Sequence, residues 1–276
     1  MVEPILSPSK TAGSVVESKG AGNWLLQIPA GPAGRYRLAQ VDDYHHRRRE
    51  DYPWRAPVRL SLQAHVSHGV IPGTWGFGLW NDPFSMSILG GEGVRRLPCL
   101  PNCVWYFFAS PPNWLSLRDD LPGAGLLAAT FYSSWAGNAP GSGSMRRRLV
   151  NTARLLVALP LLAMLPGGGG PRLHSARAGL RRATGRVVQQ DSTLLPIDPT
   201  AWHSYQVDWQ EEVADFMVDG KRLLSSSIAP AGPLGCVVWV DNQYAAFPPD
   251  GRVSYGMLEN TEPAWLEIEG LELETG

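Results

Sequence analysis

At 276 residues the chain is long enough to bury a sizeable core, and its formal net charge of −1 gives no overall drive toward nucleic acid or an anionic surface. Its three cysteines, two of them Cys99 and Cys103, form neither a disulfide framework nor a metal set with histidine at ligand spacing; no metal and no cofactor is expected. Tryptophan is abundant, with 11 residues, so many aromatic faces need a core or a ligand.

The N-terminus, MVEPILSPSKTAGS, lacks a basic region followed by an apolar run. An intracellular, cytoplasmic protein is the expectation. Residues 1–22 are Ser/Gly/Pro-rich and read as a flexible arm ahead of one domain spanning 23–276. Short strand-like runs follow at Asn23 to Ile28, Arg35 to Val41 and Arg59 to Ser67. In the third, Leu60, Leu62, Ala64 and Val66 alternate with Ser61, Gln63 and His65, the period of a half-buried strand. In Gly73 to Trp80, Gly76 and Gly78 fall on one parity, so an aromatic ring or a ligand is expected to pack closely over that face. Cys103 to Ser110 is apolar on both parities, as in a central strand covered on both sides, and Leu126 to Ser134 is similar.

From 121 to 190 there is no Asp or Glu, while Arg accumulates. This marks an Arg-rich insertion at about 140–195, helical over Met145 to Pro166 and stopped at Gly167 to Gly170. Its apolar part, Leu155 to Leu165, is too short for the roughly 20 residues of a membrane span. The segment either packs on the domain or acts as a lid or peripheral membrane contact through 145–165.

Beyond it, His203, Tyr205, Val207 and Trp209 share one strand face, and Asp219-Gly220 supplies the turn chemistry of a type I′ hairpin within Trp202 to Leu224. Gly235 to Gln243 is a further strand. In the last strand, Leu266 and Ile268 lie on one parity and Leu271 and Leu273 on the other, which a bulge at Gly270 reconciles.

The GTWGFGLW strand, then WHSYQVDW, FMVDGKRL, an apolar Trp-bearing strand and a closing strand resemble, in that order, the concanavalin A-like jelly roll of lectins and family-16 glucanases. The resemblance spans most of 23–275, with 140–195 unmatched. It implies an all-β, two-sheet antiparallel sandwich and a carbohydrate or glycoconjugate ligand. That family's catalytic strand carries E-x-D-x-x-E, because retaining hydrolysis needs two carboxyl groups about 5 Å apart. No such motif occurs in this chain, and the strand after GTWGFGLW reads Val104-Trp105-Tyr106-Phe107-Phe108. The usual glycosidase mechanism is therefore not expected.

Trp75, Phe77, Trp80, Trp105, Tyr106 and Trp239 fall on strands that line or underlie the concave face, for stacking on sugar rings, lining an apolar pocket, or core packing. Asn81 and Asp82 follow a strand end, and Asp241, Asn242 and Gln243 end an apolar strand; all five are candidate ligand contacts. The rival reading is an enzyme on a lipophilic small molecule, of isomerase or cyclase type, with Asp82 or Asp241 as an isolated acid. A third is a peripheral membrane partner docking through the insertion. His203 reads as a packed strand histidine, Asp119-Asp120 as an exposed loop pair, and Asp42 to Trp54 as a solvated, self-paired loop.

Overall fold

The computed structural model describes residues 4–83, 96, 99–133, 179, 181–250, 252 and 254–276. Sixteen strands are named within them: β1 (Ser7–Lys10), β2 (Val15–Gly20), β3 (Asn23–Ile28), β4 (Leu38–Asp42), β5 (Val58–Val66), β6 (Thr74–Trp80), β7 (Cys103–Ala109), β8 (Gly125–Ser133), β9 (Val188–Leu194), β10 (His203–Trp209), β11 (Ala214–Val218), β12 (Lys221–Ser226), β13 (Gly235–Asp241), β14 (Gln243–Ala246), β15 (Ser254–Met257) and β16 (Ala264–Thr275). They form two seven-stranded sheets and one small two-stranded one. The first sheet runs β1-β4-β13-β6-β7-β8-β9, the second β12-β11-β10-β5-β16-β3-β2. Neighbours within each are antiparallel. The chain passes repeatedly between the sheets, as a jelly-roll sandwich requires: β4 lies in the first, β5 in the second, β6–β9 in the first, β10–β12 in the second, β13 in the first and β16 in the second.

The main core lies between the sheets. On β5 the alternation holds, with Val58, Leu60, Leu62, Ala64 and Val66 buried in that core. In the first sheet β7 and β13 are buried at every position. One parity faces the inter-sheet core; the other, with Trp105, Phe107 and Trp239, packs into a second hydrophobic cluster on the sheet's outer face. A strand covered on both sides loses its period-2 signal, which explains the run of apolar residues from Cys103.

The hairpin turn is as its sequence demands. Asp219 and Gly220 have φ of 51° and 73°, the left-handed pair of a type I′ turn. On β16, Gly270 has φ of 62° and the register against β5 shifts between Glu269 and Glu272. That bulge puts Leu266, Ile268, Leu271 and Leu273 into one core.

Two expectations are corrected. Residues 1–22 are not a loose arm: β1 pairs with β4 and β2 with β3, so this segment supplies an outer strand to each sheet. Outer strands with half-buried or exposed side chains carry little hydrophobic periodicity, and the pairing is made by backbone groups that composition does not report. The insertion also ends earlier than expected. Residues 181–187 are helical, and at Val188 the chain enters β9, which pairs along β8. The helix expected over Met145 to Pro166 lies outside the described residues. Among the described residues, no helix is long and apolar enough to cross a membrane.

A Cβ added at Gly220 meets no atom within 4 Å, so a substitution there tests backbone conformation alone. Gly220→Ala is expected to lower the unfolding free energy by about 1 kcal/mol through the left-handed φ. Urea denaturation at constant m-value checks it.

Candidate functional site

The register across the first sheet places outer-face side chains in rows. One row runs Asp42, Val237, Gly78, Trp105, Ala129 and Ser192, and the next runs Gln40, Trp239, Gly76, Phe107 and Leu127. The two glycines open space in the middle of this lattice. A Cβ on Gly76 lies 2.7 Å from the Trp239 ring and 2.4 Å from the Tyr106 carbonyl; one on Gly78 lies 2.6 Å from the Trp105 Cβ. The close packing expected over Gly76 and Gly78 is therefore provided by tryptophan.

Trp80, Trp105 and Trp239 gather over them, with ring centroids 5.8 Å (Trp80–Trp105), 6.0 Å (Trp80–Trp239) and 5.6 Å (Trp105–Trp239) apart. Phe107 stacks on Trp105 at 5.2 Å, and Phe131 meets it edge-on at 6.2 Å. Trp105 and Trp239 are buried, whereas Trp80 is half-buried and presents part of its ring at the surface. The Trp105 Nε1 and the Ser192 Oγ, which share a row, are buried with no hydrogen-bond partner. Such groups cost free energy until a partner arrives.

Polar groups are held at the margins. The Trp239 Nε1 donates to the Thr74 Oγ1 at 3.0 Å, and the Thr74 hydroxyl donates to the Asp241 Oδ1 at 2.8 Å. The Gln243 backbone N–H donates to the same oxygen. Burial pushes the Asp241 carboxyl up to about 7. On β4, the Gln40 amide donates to the Asp42 Oδ2 at 2.9 Å and the Tyr44 N–H to the Asp42 Oδ1 at 3.2 Å, and burial raises the Asp42 carboxyl too. Gln40, Asp42 and Tyr44 were not singled out in the sequence. Their signal was the parity of Leu38 to Asp42, with Ala39 and Val41 facing the core and Gln40 and Asp42 facing out.

The sequence candidates divide sharply. Trp80, Trp105 and Trp239 come together on the outer face, with Asp241 beside them. Trp75, Phe77 and Tyr106 are corrected: they point into the inter-sheet core, where Trp75 stacks on Phe108 at 5.7 Å and Phe77 meets Tyr205 at 5.0 Å. The Tyr106 hydroxyl is spent on the carbonyls of Gln206 and Met217. Asn81 and Asn242 are corrected too, because their amides are consumed by backbone. Asn81 binds the Leu100 carbonyl and the Asn102 N–H; Asn242 binds the carbonyls of Arg35 and Leu258 and the Arg37 N–H. Gln243 lies half-buried on β14, where its backbone serves Asp241. Asp82 pairs with the buried Arg96 at 3.3 Å, and Arg96 also donates to the carbonyls of Tyr44 and Arg47.

The loop after β4 is not wholly solvated either. Tyr44, Tyr52 and Trp54 are buried, and Asp43, pushed up to about 7 by burial, accepts from the Trp54 indole and the Cys236 N–H. Only its outer part is self-paired, as in Arg48–Glu50. Asp119 and Asp120 do not form a carboxylate pair; each bonds an arginine, Arg181 and Arg118 respectively.

Two carboxylates on this face do not make a hydrolytic pair. Asp42 sits opposite Val237, and Asp241 lies four residues further along β13, a backbone separation of about 13 Å on an extended strand. Retaining and inverting glycosidases need carboxyl groups about 5–5.5 Å and about 6.5–9.5 Å apart. On β7, the outer-facing positions carry Cys103, Trp105, Phe107 and Ala109.

No family model and no curated protein matches the chain. Among solved structures it is similar to a glycoside hydrolase family protein from Mycobacterium thermorestibile, at 13% identity, TM-score 0.46, covering 94% of this chain and 79% of that one. It is also similar to a family-16 enzyme of Bacteroides ovatus in complex with a mixed-linkage glucan product, at 8% identity, TM-score 0.45 and coverage of 99% and 96%. A legume lectin-like domain from Entamoeba histolytica matches at 9%, TM-score 0.44, with coverage of 98% and 90%. These neighbours are jelly rolls of the kind the sequence resembles. Their activities belong to those proteins, and the fold of this chain stands on its own strand order.

Folding raises the Asp241 carboxyl from 3.8 to about 7. Between those values the folded chain keeps a proton that the unfolded chain has released, so this contribution to stability is complete below pH 3.8 and is lost as pH rises through 7. Asp43 acts with the same sign. Urea titrations at pH 5 and pH 7.5 should show a fall in stability, smaller in Asp241→Asn. Thr74→Val, which leaves both the Trp239 indole and Asp241 without their shared partner, is expected to cost about 2–3 kcal/mol at pH 7 by the same measurement.

Proposed function

We propose that the outer face of the first sheet binds a carbohydrate or glycoconjugate and does not cleave it by a paired-carboxylate mechanism. The observation that carries this reading is the tryptophan cluster: Trp80, half-buried, stands against Trp105 and Trp239. In the row beneath, the Trp105 N–H and the Ser192 hydroxyl are unspent. Sugars present apolar C–H faces and a rim of hydroxyls, and such a face offers aromatic surface with a few polar groups to meet both. The outer positions of β7 supply no nucleophilic or acidic carboxyl, which supports binding in place of hydrolysis.

The test is a thermal-shift screen of the full chain against neutral β-linked glucan and mannan oligosaccharides and, separately, hydrophobic metabolites. Stabilisation by at least one oligosaccharide, reduced in Trp80→Ala, is the expected outcome. Stabilisation by lipophiles alone would overturn the carbohydrate reading in favour of an apolar pocket for a small molecule.

A further inference from the structure

The second sheet turns its own outer face to solvent, and that face contains a cavity of about 250 Å³ that the tryptophan cluster does not touch. Its walls come from four neighbouring strands: Ser61 and Gln63 on β5, Ser204 and Gln206 on β10, Met217 on β11 and Glu269 on β16. The register sets them side by side. Ser204 faces Gln63 and Gln63 faces Glu269; in the next row Met217 faces Gln206 and Gln206 faces Ser61. The Gly270 bulge bounds the hollow on one side, with open space where a side chain would stand, and the Gly220 turn bounds it on another.

The chemistry of these walls is unusual for a solvated sheet. Among the described residues, the side chains of Ser61, Gln63, Ser204 and Glu269 hold no hydrogen bond or ion pair, while much of the surrounding charge on the same face is paired, Lys19 with Glu267, Arg59 with Asp208 and Glu274, and Arg222 with Asp215; Glu272, opposite Ser61, adds a further carboxylate. Two hydroxyls, an amide and a carboxylate therefore converge with their hydrogen-bonding capacity intact. In the adjoining row stands Trp202, 39% exposed. Its ring is fixed by stacking on His65 at 3.9 Å, and His65 is flanked on its other side by Trp265 at 4.9 Å. Trp202 and Ser204 are two residues apart on one parity, about 7 Å along the strand.

We infer that the outer face of the second sheet carries a second, separate binding site, for a neutral saccharide unit stacked on Trp202 with its hydroxyls bound by Gln63, Ser204, Ser61 and Glu269. A fixed, exposed indole next to unspent amide, hydroxyl and carboxylate groups matches the C–H face and the vicinal hydroxyls of a pyranose. No cationic side chain lines the cavity, and Glu269 stands in it, so a phosphate, sulfate or uronate is repelled. The volume lies below the roughly 300–1,000 Å³ of pockets for drug-sized ligands, which limits the site to one sugar ring of a longer chain.

The test is 1H–15N correlation spectroscopy of the full chain titrated with cellotetraose, laminaritetraose and mannotetraose. The expected result is saturable movement of the amides of residues 61–65, 202–206 and 269–271, with at least tenfold weaker binding in Gln63→Ala and in Trp202→Ala. Both residues are solvent-facing and leave the core intact, and Glu269→Gln adds a third variant that keeps the shape of the site. The outer face of the first sheet reports separately through the amides of β6, β7 and β13, so movement there alone would overturn the second site without touching the proposed function. Amides of residues 61–65, 202–206 and 269–271 that respond to calcium chloride in place of sugars, or that move equally in wild type and Gln63→Ala, would overturn it as well.

Discussion

Two side chains that are not there organise the first sheet. Gly76 and Gly78 leave one face of β6 bare, and the Trp239 ring and the Trp105 Cα and Cβ lie directly on that backbone. Because the neighbouring strands are fixed in register, the rings have nowhere else to stack but on each other and on Trp80, Phe107 and Phe131. The sheet is thereby buried on both faces, and its polar groups are displaced to the margins, to Thr74 and Asp241 at one end and to Gln40, Asp42 and Tyr44 on β4. The same packing occupies the outer positions of β7 with Cys103, Trp105, Phe107 and Ala109.

What could be read from the sequence follows from which contacts are local. The Asp219-Gly220 turn needs only two residues of positive φ, and it was legible. The alternation on β5 was legible because one of its faces is solvated, and the Gly270 bulge because the apolar parity switches within six residues. Where both faces are covered, as on β6 and β7, parity says nothing about which way a ring points, and Trp75, Phe77 and Tyr106 were assigned to the wrong side for that reason. Asn81 and Asn242 looked like ligand contacts because they end apolar strands. Asn242 is instead a clamp on Arg35 and Arg37, more than 200 positions away in sequence, and no local pattern reports that. The outer strands β1 and β2 were missed because they are held by backbone pairing, with little apolar side-chain burial to betray them.

The two sheets present opposite chemistry outward. The first offers aromatic side chains, among which the Trp80 and Trp105 indole N–H groups and the Ser192 hydroxyl are buried without partners among the described residues, and the second a polar face whose charges are largely paired but whose centre is not. A sandwich separates these surfaces by its full thickness, so a long polymeric ligand can engage both only by wrapping the edge or by bridging two molecules. That separation also allows each face to be altered without disturbing the other, since the inter-sheet core that joins them is contributed by the opposite parity of every strand.

In the proposed function, the tryptophan face holds a saccharide and leaves it whole. The direct measurement is 19F spectroscopy of the chain labelled with 5-fluorotryptophan, with the Trp80, Trp105 and Trp239 resonances assigned by Trp→Phe substitution, during prolonged incubation with β-glucan oligosaccharides whose length is followed by chromatography. The account predicts saturable shifts at those three resonances and an unchanged oligosaccharide length. Silent resonances with every sugar, or the appearance of new reducing ends, would contradict it.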